Sequence, residues 1–303
     1  MTRIVPHLWF DDQAREAAEF YVDTFPRSAV TTVSTIRNVP SPSGDSDIVY
    51  FTLGDQPFMA ISAGPAFTPN PSISFIVNFD PATDDNARKN LDATWERLSD
   101  GGAALMPLDT YPFSERYGWI ADKYGFTWQL MLTDPAGEPR PFIIPSLLFV
   151  GDVAGKAEEA TDFYLSVFPE SERGSLVHYP PGDAEPEKSV MFTDFRLSET
   201  WLSAMDSSLP DHHFTFNEAV SLLVPCETQD EVDRYWAQLS AVPEAEQCGW
   251  LKDKFGVSWQ IAPTAMDDML RTGTPEQIDR VTAAFMPMKK MDIETLRAAF
   301  DGS

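Results

Sequence analysis

The chain has 303 residues, a length that suggests two domains, and is 43 % hydrophobic and 12 % aromatic, enough for ordinary globular cores. Its 47 acids against 22 bases leave a formal charge of −25. That excludes the basic face on which nucleic acid binding depends, and it equally disfavours an anionic membrane surface.

The elements follow in chain order. RIVPHLWF reads as a strand, rich in β-formers and without a helical period. DDQAREAAEFYVDTF reads as an amphipathic helix, with Ala17, Phe20, Tyr21 and Phe25 at spacings of three and four. Pro26 ends it, because proline cannot continue the hydrogen-bond ladder. Three short strands come next, AVTTVSTI, DIVYFTL and QPFMAIS, with GDQ as the turn between the last two. SISFIVNF then opens a second unit of the same kind. Its helix carries Leu91, Trp95 and Leu98 on one face, and a weak strand, GWIAD and FTWQLML complete it.

The second half repeats this order. GWIADKYGFTWQL, from Gly118, and GWLKDKFGVSWQI, from Gly249, agree at seven of thirteen positions. EAAEFYVDTFPRS, from Glu16, and EATDFYLSVFPES, from Glu159, also agree at seven of thirteen. SISFIV matches AVSLLV, and LDATWERLS matches VDRYWAQLS. The offset between copies drifts from 143 to 147, 141 and 131 as loops differ. A β-α-β-β-β unit is therefore expected twice in residues 1–137 and twice in residues 142–266. Residues 267–303 lie beyond the repeat. There Thr274 with Pro275, and Asp292, are expected to start two short helices packed on the second copy. Phe285, Met288 and Met291 are expected as packing residues.

Four such units, with FYxxxFPxS in the first helix and DKxGxxWQ in the last strand, resemble the vicinal-oxygen-chelate superfamily, which includes glyoxalase I, the bleomycin-resistance proteins and extradiol dioxygenases. PHLWF, GPAFTPNPSISF, FTFNEAVSLLV, CGWLKDKFGVSWQI and MPMKKMDIETLRAAF look like its PhnB-like branch, whose members often carry the label 3-demethylubiquinone-9 3-methyltransferase. The resemblance implies an α+β fold, with each module a curved mixed sheet around a concave cleft. Methyl transfer would need a site for S-adenosylmethionine, usually a glycine-rich turn after a strand, and the sequence contains no GxGxxG.

In metal-dependent members of the superfamily, a glutamate ends the last-strand motif and binds the metal. Here Gln129 and Gln260 stand at that position, and a neutral amide brings a dipole where a carboxylate brings charge. Ser74 and Ser221 stand near the ligand position of the fifth strands. His7 lies near a ligand position on the first strand, and its counterpart is Ser146. No metal and no cofactor is expected from this set. His7 is read either as a satisfied interior histidine or as a ligand contact.

Alternate residues of a strand share a face. His7, Trp9, Ser74 and Gln129 are therefore expected to line one cleft, and Ser221, Gln260 and Trp201 the other, while Trp128 and Trp259 point into the core. The expected function is binding of a small molecule, planar or cationic, in a metal-free cleft. The alternative is a metal-dependent lyase, isomerase or dioxygenase. The two modules should pair as an intramolecular pseudo-dimer, with a homodimer also possible, and no nucleic-acid or membrane partner is expected. MTRIVPHLWFDDQ meets acids before an apolar run forms, and FIIPSLLFV is far too short to span a bilayer. A cytoplasmic protein with Cys226 and Cys248 as free thiols is expected.

Overall fold

A computed structural model describes residues 3–37, 44–183, 185–186 and 188–303. The first unit comprises β1 (Val5–Phe10), α1 (Ala14–Thr24), β2 (Ala29–Ile36), β3 (Ser46–Leu53) and β4 (Gln56–Ser62). The second comprises β5 (Ile73–Phe79), α2 (Ala87–Ser99), β6 (Ala103–Tyr111), β7 (Ser114–Ala121) and β8 (Thr127–Leu132). The third comprises β9 (Ile143–Phe149), α3 (Ala157–Val167), β10 (Glu172–His178), β11 (Val190–Leu197) and β12 (Thr200–Asp206). The fourth has β13 (Val220–Cys226), α4 (Gln229–Leu239), β14 (Trp250–Lys252) and β15 (Ser258–Pro263), one strand fewer than its sequence match suggests. The missing strand is the counterpart of β6. The offset between copies falls from 141 to 131 at this point, so the fourth unit has no chain from which to build it.

The sheets cut across the sequence repeat. One has seven strands in the order β14-β15-β13-β1-β4-β3-β2, and the other has eight in the order β10-β11-β12-β9-β5-β8-β7-β6. The first unit thus shares a sheet with the fourth, and the second with the third. At each seam the leading strands of two units run antiparallel: His7 opposes Ser221 across β1 and β13, and Ser74 opposes Ser146 across β5 and β9. The two copies pair within one chain, as an α+β fold of two mixed sheets.

The duplicated DKxGxxWQ stretch builds the joint between helix and sheet. Gly125 and Gly256 sit at φ +89° and +87°, a left-handed backbone that favours glycine. The turn lets Asp122 Oδ1 accept from the N–H groups of Tyr124 and Phe126, at 2.8 and 3.1 Å. Asp122 Oδ2 accepts from the Tyr21 hydroxyl of α1 at 2.7 Å and from Trp128 Nε1 at 2.8 Å. Asp253 repeats all four bonds with Phe255, Val257, Tyr164 and Trp259. Burial holds both carboxyls above their ordinary range, opposed by these hydrogen bonds. Trp128 and Trp259 are fully buried, the first against Tyr21, Phe25 and Phe75 and the second against Tyr164 and Phe168. A truncation at such a site costs roughly 3–5 kcal/mol. The backs of the two sheets meet in the same core, where the rings of Phe58 and Phe75 lie 5.1 Å apart.

Three helices follow β15: α5 (Thr264–Thr272), α6 (Pro275–Phe285) and α7 (Ile293–Asp301). Thr274 and Gln277 form a capping box on α6, and Asp292 caps α7 through the Thr295 N–H. These are the two expected starts; α5 is an addition, because β15 runs into it with no turn residue between. The helices pack chiefly on the first copy, against Ile36, Ile48 and Tyr50 of β2 and β3, and not on the second copy alone. The crossed pairing of units brings that sheet edge next to β15. No helix among the described residues is long and apolar enough to cross a membrane.

Candidate functional site

Because the sheets cross the repeat, the expected grouping of site residues is corrected. His7 and Trp9 share the seven-stranded sheet with Ser221 and Gln260, whereas Ser74 and Gln129 share the eight-stranded sheet with Trp201. Strand alternation names the face of a residue but not the partner sheet, so the error lay in the pairing of units. Gln129 and Gln260 do occupy matching places: Gln129 Nε2 donates to Ser74 Oγ at 2.7 Å, and Gln260 Nε2 donates to Ser221 Oγ at 2.8 Å.

A cavity of about 810 Å³ lies on the face of the seven-stranded sheet that carries His7, Trp9 and Gln260. Met59, Ile61 and Trp250 line its floor, and α5 and α6 supply Met266, Leu270 and Phe285. Its size and apolar lining with a few polar groups are those of a small-molecule pocket. His7 is 3 % exposed and set edge-on to Trp250, with ring centroids 5.5 Å apart. Its Nδ1 has no partner among the described residues. Desolvation pushes its pKa down to about 3, so the imidazole is neutral near pH 7. Trp9 meets Trp250 at 5.9 Å and Phe67 at 5.0 Å, and its Nε1 donates to the Gly64 carbonyl at 2.7 Å.

Of the acids in the lining, Asp267 and Glu218 are ion-paired, while Glu244 is exposed and forms no ion pair among the described residues. Asp267 lies 3.8 Å from Arg271, and Glu218 lies 2.9 Å from Lys252. Burial pushes the Asp267 carboxyl up, with the Tyr50 hydroxyl opposing, and the same burial pushes Tyr50 up. Cys248 lies on the wall with φ 52°, and its thiol donates to the Met286 carbonyl at 3.3 Å. Burial raises that thiol too, which keeps it protonated and a poor nucleophile.

On this sheet His7, Ser221 and Gln260 stand at the places that the resemblance assigns to metal ligands, and Met59 lies beside His7 on the neighbouring strand. His7 opposes both Met59 and Ser221 in register. All four are neutral, and their counterparts on the other sheet are Ser146, Ser203, Ser74 and Gln129. Neither set offers a carboxylate or thiolate, and no cluster of three or more His, Cys, Asp or Glu suited to a metal occurs among the described residues. The donors do not fit a divalent cation.

On the eight-stranded sheet, Trp201 is not an open platform. The guanidinium of Arg140, from the segment after β8, lies 4.1 Å from its ring centroid, and Arg140 Nε donates to Asp194 Oδ2 at 2.6 Å. An internal cation thus covers the aromatic that the sequence offered to a ligand. Sequence reasoning missed this arginine and the α5 residues of the cavity. Arg140 and Arg271 stand at matching distances beyond β8 and β15, a signal that the aligned copies contain.

The family model described as 3-demethylubiquinone-9 3-methyltransferase matches residues 2–131 and 141–262. No curated protein matches the chain. A PhnB protein from Bacillus cereus is similar at 35 % identity, over 43 % of this chain and 98 % of its own, with a TM-score of 0.38. Glyoxalase I from Zea mays aligns over 78 % of this chain and 79 % of its own, at 11 % identity and a TM-score of 0.51. A variant of that enzyme aligns over 89 % of this chain and 96 % of its own, at 11 % identity and a TM-score of 0.53. The maize structures share the fold across both halves.

Proposed function

The chain belongs to the 3-demethylubiquinone-9 3-methyltransferase family of glyoxalase-like proteins, and we propose that it binds a small, largely apolar molecule without a metal, in the cavity of the seven-stranded sheet. The observation that carries this reading is the cavity itself: about 810 Å³, walled by Trp9, Trp250, Met59 and Ile61, with neutral His7 and Gln260 among its few polar groups. The metal-dependent alternative lacks a donor set on either sheet. Methyl transfer would place a sulfonium donor with an ammonium and a carboxylate beside the acceptor. The ion pairs Asp267–Arg271 and Glu218–Lys252 leave exposed Glu244 as the wall's acid without an ion pair and leave no unpaired base in the described lining to meet the carboxylate. No chemical step is assigned to the site.

The unpaired thiols Cys226 and Cys248 support a reducing, cytoplasmic setting. The internal pairing of the two copies supports a chain that needs no second copy to complete its sheets.

Equilibrium dialysis of the intact chain against naphthalene, with and without EDTA, tests the reading. Saturable binding at one site, unchanged by EDTA and abolished by Ile61→Trp, is the expected result. Binding that disappears with EDTA, or that survives Ile61→Trp, overturns it.

A further inference from the structure

The two glutamines are held alike at the nitrogen and differently at the oxygen. Gln129 Oε1 accepts from the Tyr117 hydroxyl at 2.7 Å, and its Nε2 donates to Ser74, so both ends of its amide have a partner within the protein. Tyr117 is fixed from behind by the β6–β7 hairpin, where it packs edge-on against Tyr111 and Phe113 at 5.4 and 4.9 Å. In the other copy the residue before the GW pair is Cys248, and the hairpin is absent. The Cys248 thiol turns to the Met286 carbonyl, away from the amide. Gln260 therefore gives its Nε2 to Ser221, while its Oε1 meets no donor among the described residues. Gln260 lines the cavity, as do His7 and Trp250, and Trp250 is its direct cross-strand neighbour.

An amide oxygen that opens onto a largely apolar cavity without an internal donor is available to a ligand's hydrogen-bond donor. The apolar wall, the ion pairing of Asp267 and Glu218, and the neutral His7 make the surroundings of Gln260 poor for a full charge. We propose, on the reading of this cavity as a small-molecule site, that its ligand is an uncharged aromatic molecule bearing a hydroxyl, which donates to Gln260 Oε1 while its ring lies among Trp9, Trp250 and the apolar wall. This class departs from the cationic ligand expected from the sequence, because Asp267 and Glu218 are already ion-paired and the wall around Gln260 is largely apolar.

Three probes of similar size separate the terms: 1-naphthol, naphthalene, and 1-methoxynaphthalene, which accepts but cannot donate. Wild-type protein should bind 1-naphthol about tenfold more tightly than either of the others, the factor set by one buried hydrogen bond of ~1.4 kcal/mol. Gln260→Leu should reduce that ratio to about one. Cys248→Tyr, which imports the residue that caps the other amide, should reduce it as well, with naphthalene binding retained. Thermal unfolding of each variant confirms that it is folded. Equal binding of all three probes to the wild type overturns the hydroxyl assignment and leaves the cavity reading standing. A tenfold ratio that persists in both variants overturns the role of Gln260. Failure of all three to bind overturns both.

Discussion

The two concave faces descend from one repeated pattern and have become different objects. On the eight-stranded sheet, the hairpin of β6 and β7 supplies Tyr117 to close the Gln129 amide, and Arg140 folds back onto Trp201 and Asp194. On the seven-stranded sheet the hairpin is missing. The segment that leads from α6 fills its place at the backbone, with Cys248 N and Gly249 N donating to the carbonyls of Met288 and Lys289 at 2.7 and 2.8 Å. A main chain pairs there, but no tyrosine projects inward, and the cavity opens. The difference teaches that loss of one edge strand, together with one Tyr-to-Cys difference between copies, separates a self-satisfied face from one that presents an acceptor.

The strongest test of this comparison is a change to what the halves share. Asp122→Ala and Asp253→Ala each strand a buried tyrosine hydroxyl, a tryptophan N–H and two backbone N–H groups. Each should lower stability by roughly 3–5 kcal/mol in urea unfolding, by similar amounts. A marked inequality would show that the joints are not equivalent.

His7 breaks the symmetry next. Its folded pKa of about 3 lies below the ordinary value of 6.5. In that window the unfolded chain binds the extra proton, so stability falls as pH falls from about 6.5 toward 3. Ser146, its counterpart, contributes nothing of the kind. His7→Asn should therefore be roughly 3 kcal/mol less destabilising at pH 4 than at pH 7, as read from unfolding curves at both values.

The paired arginines give a smaller contrast. Arg140 and Asp194 are 15 % and 6 % exposed at their side chains, so Arg140→Ala leaves a buried carboxylate alone and should cost about 3 kcal/mol. Arg271 is 40 % exposed and paired with half-buried Asp267 and exposed Asp268, and Arg271→Ala should cost less than about 1 kcal/mol. Thermal denaturation of the two variants side by side decides it. Tyr117→Phe lies between the two: it uncaps Gln129 and should cost about 1–2 kcal/mol, with no change in probe binding at the other sheet.

Much of this architecture was legible in the residues. The repeat located the units, proline and threonine marked helix ends, and period-two alternation sent Trp128 inward and Gln129 to the opposite face. What the sequence did not disclose is which units share a sheet. That choice depends on contacts between strands far apart in the chain, such as His7 with Ser221, and no local pattern encodes it. The cavity roof was missed for a related reason: α5 belongs to the end of the chain but packs on β2 and β3 near its beginning. The Tyr117–Cys248 difference was visible in the aligned copies, yet it acquires meaning only once both side chains are seen beside, or turned from, their glutamine.

The crossed seams also set an order of assembly. The eight-stranded sheet draws on units adjacent in the chain, and all of its strands are available once β12 has been made. The seven-stranded sheet joins β1 to β13 and, through it, to β15, and must wait until those strands have been made. Until then β1 presents an unpaired edge to its surroundings. Pairing across so long a stretch of chain is slow, so the cavity-bearing sheet is expected to form after the other, with β1 open to mispairing until it does.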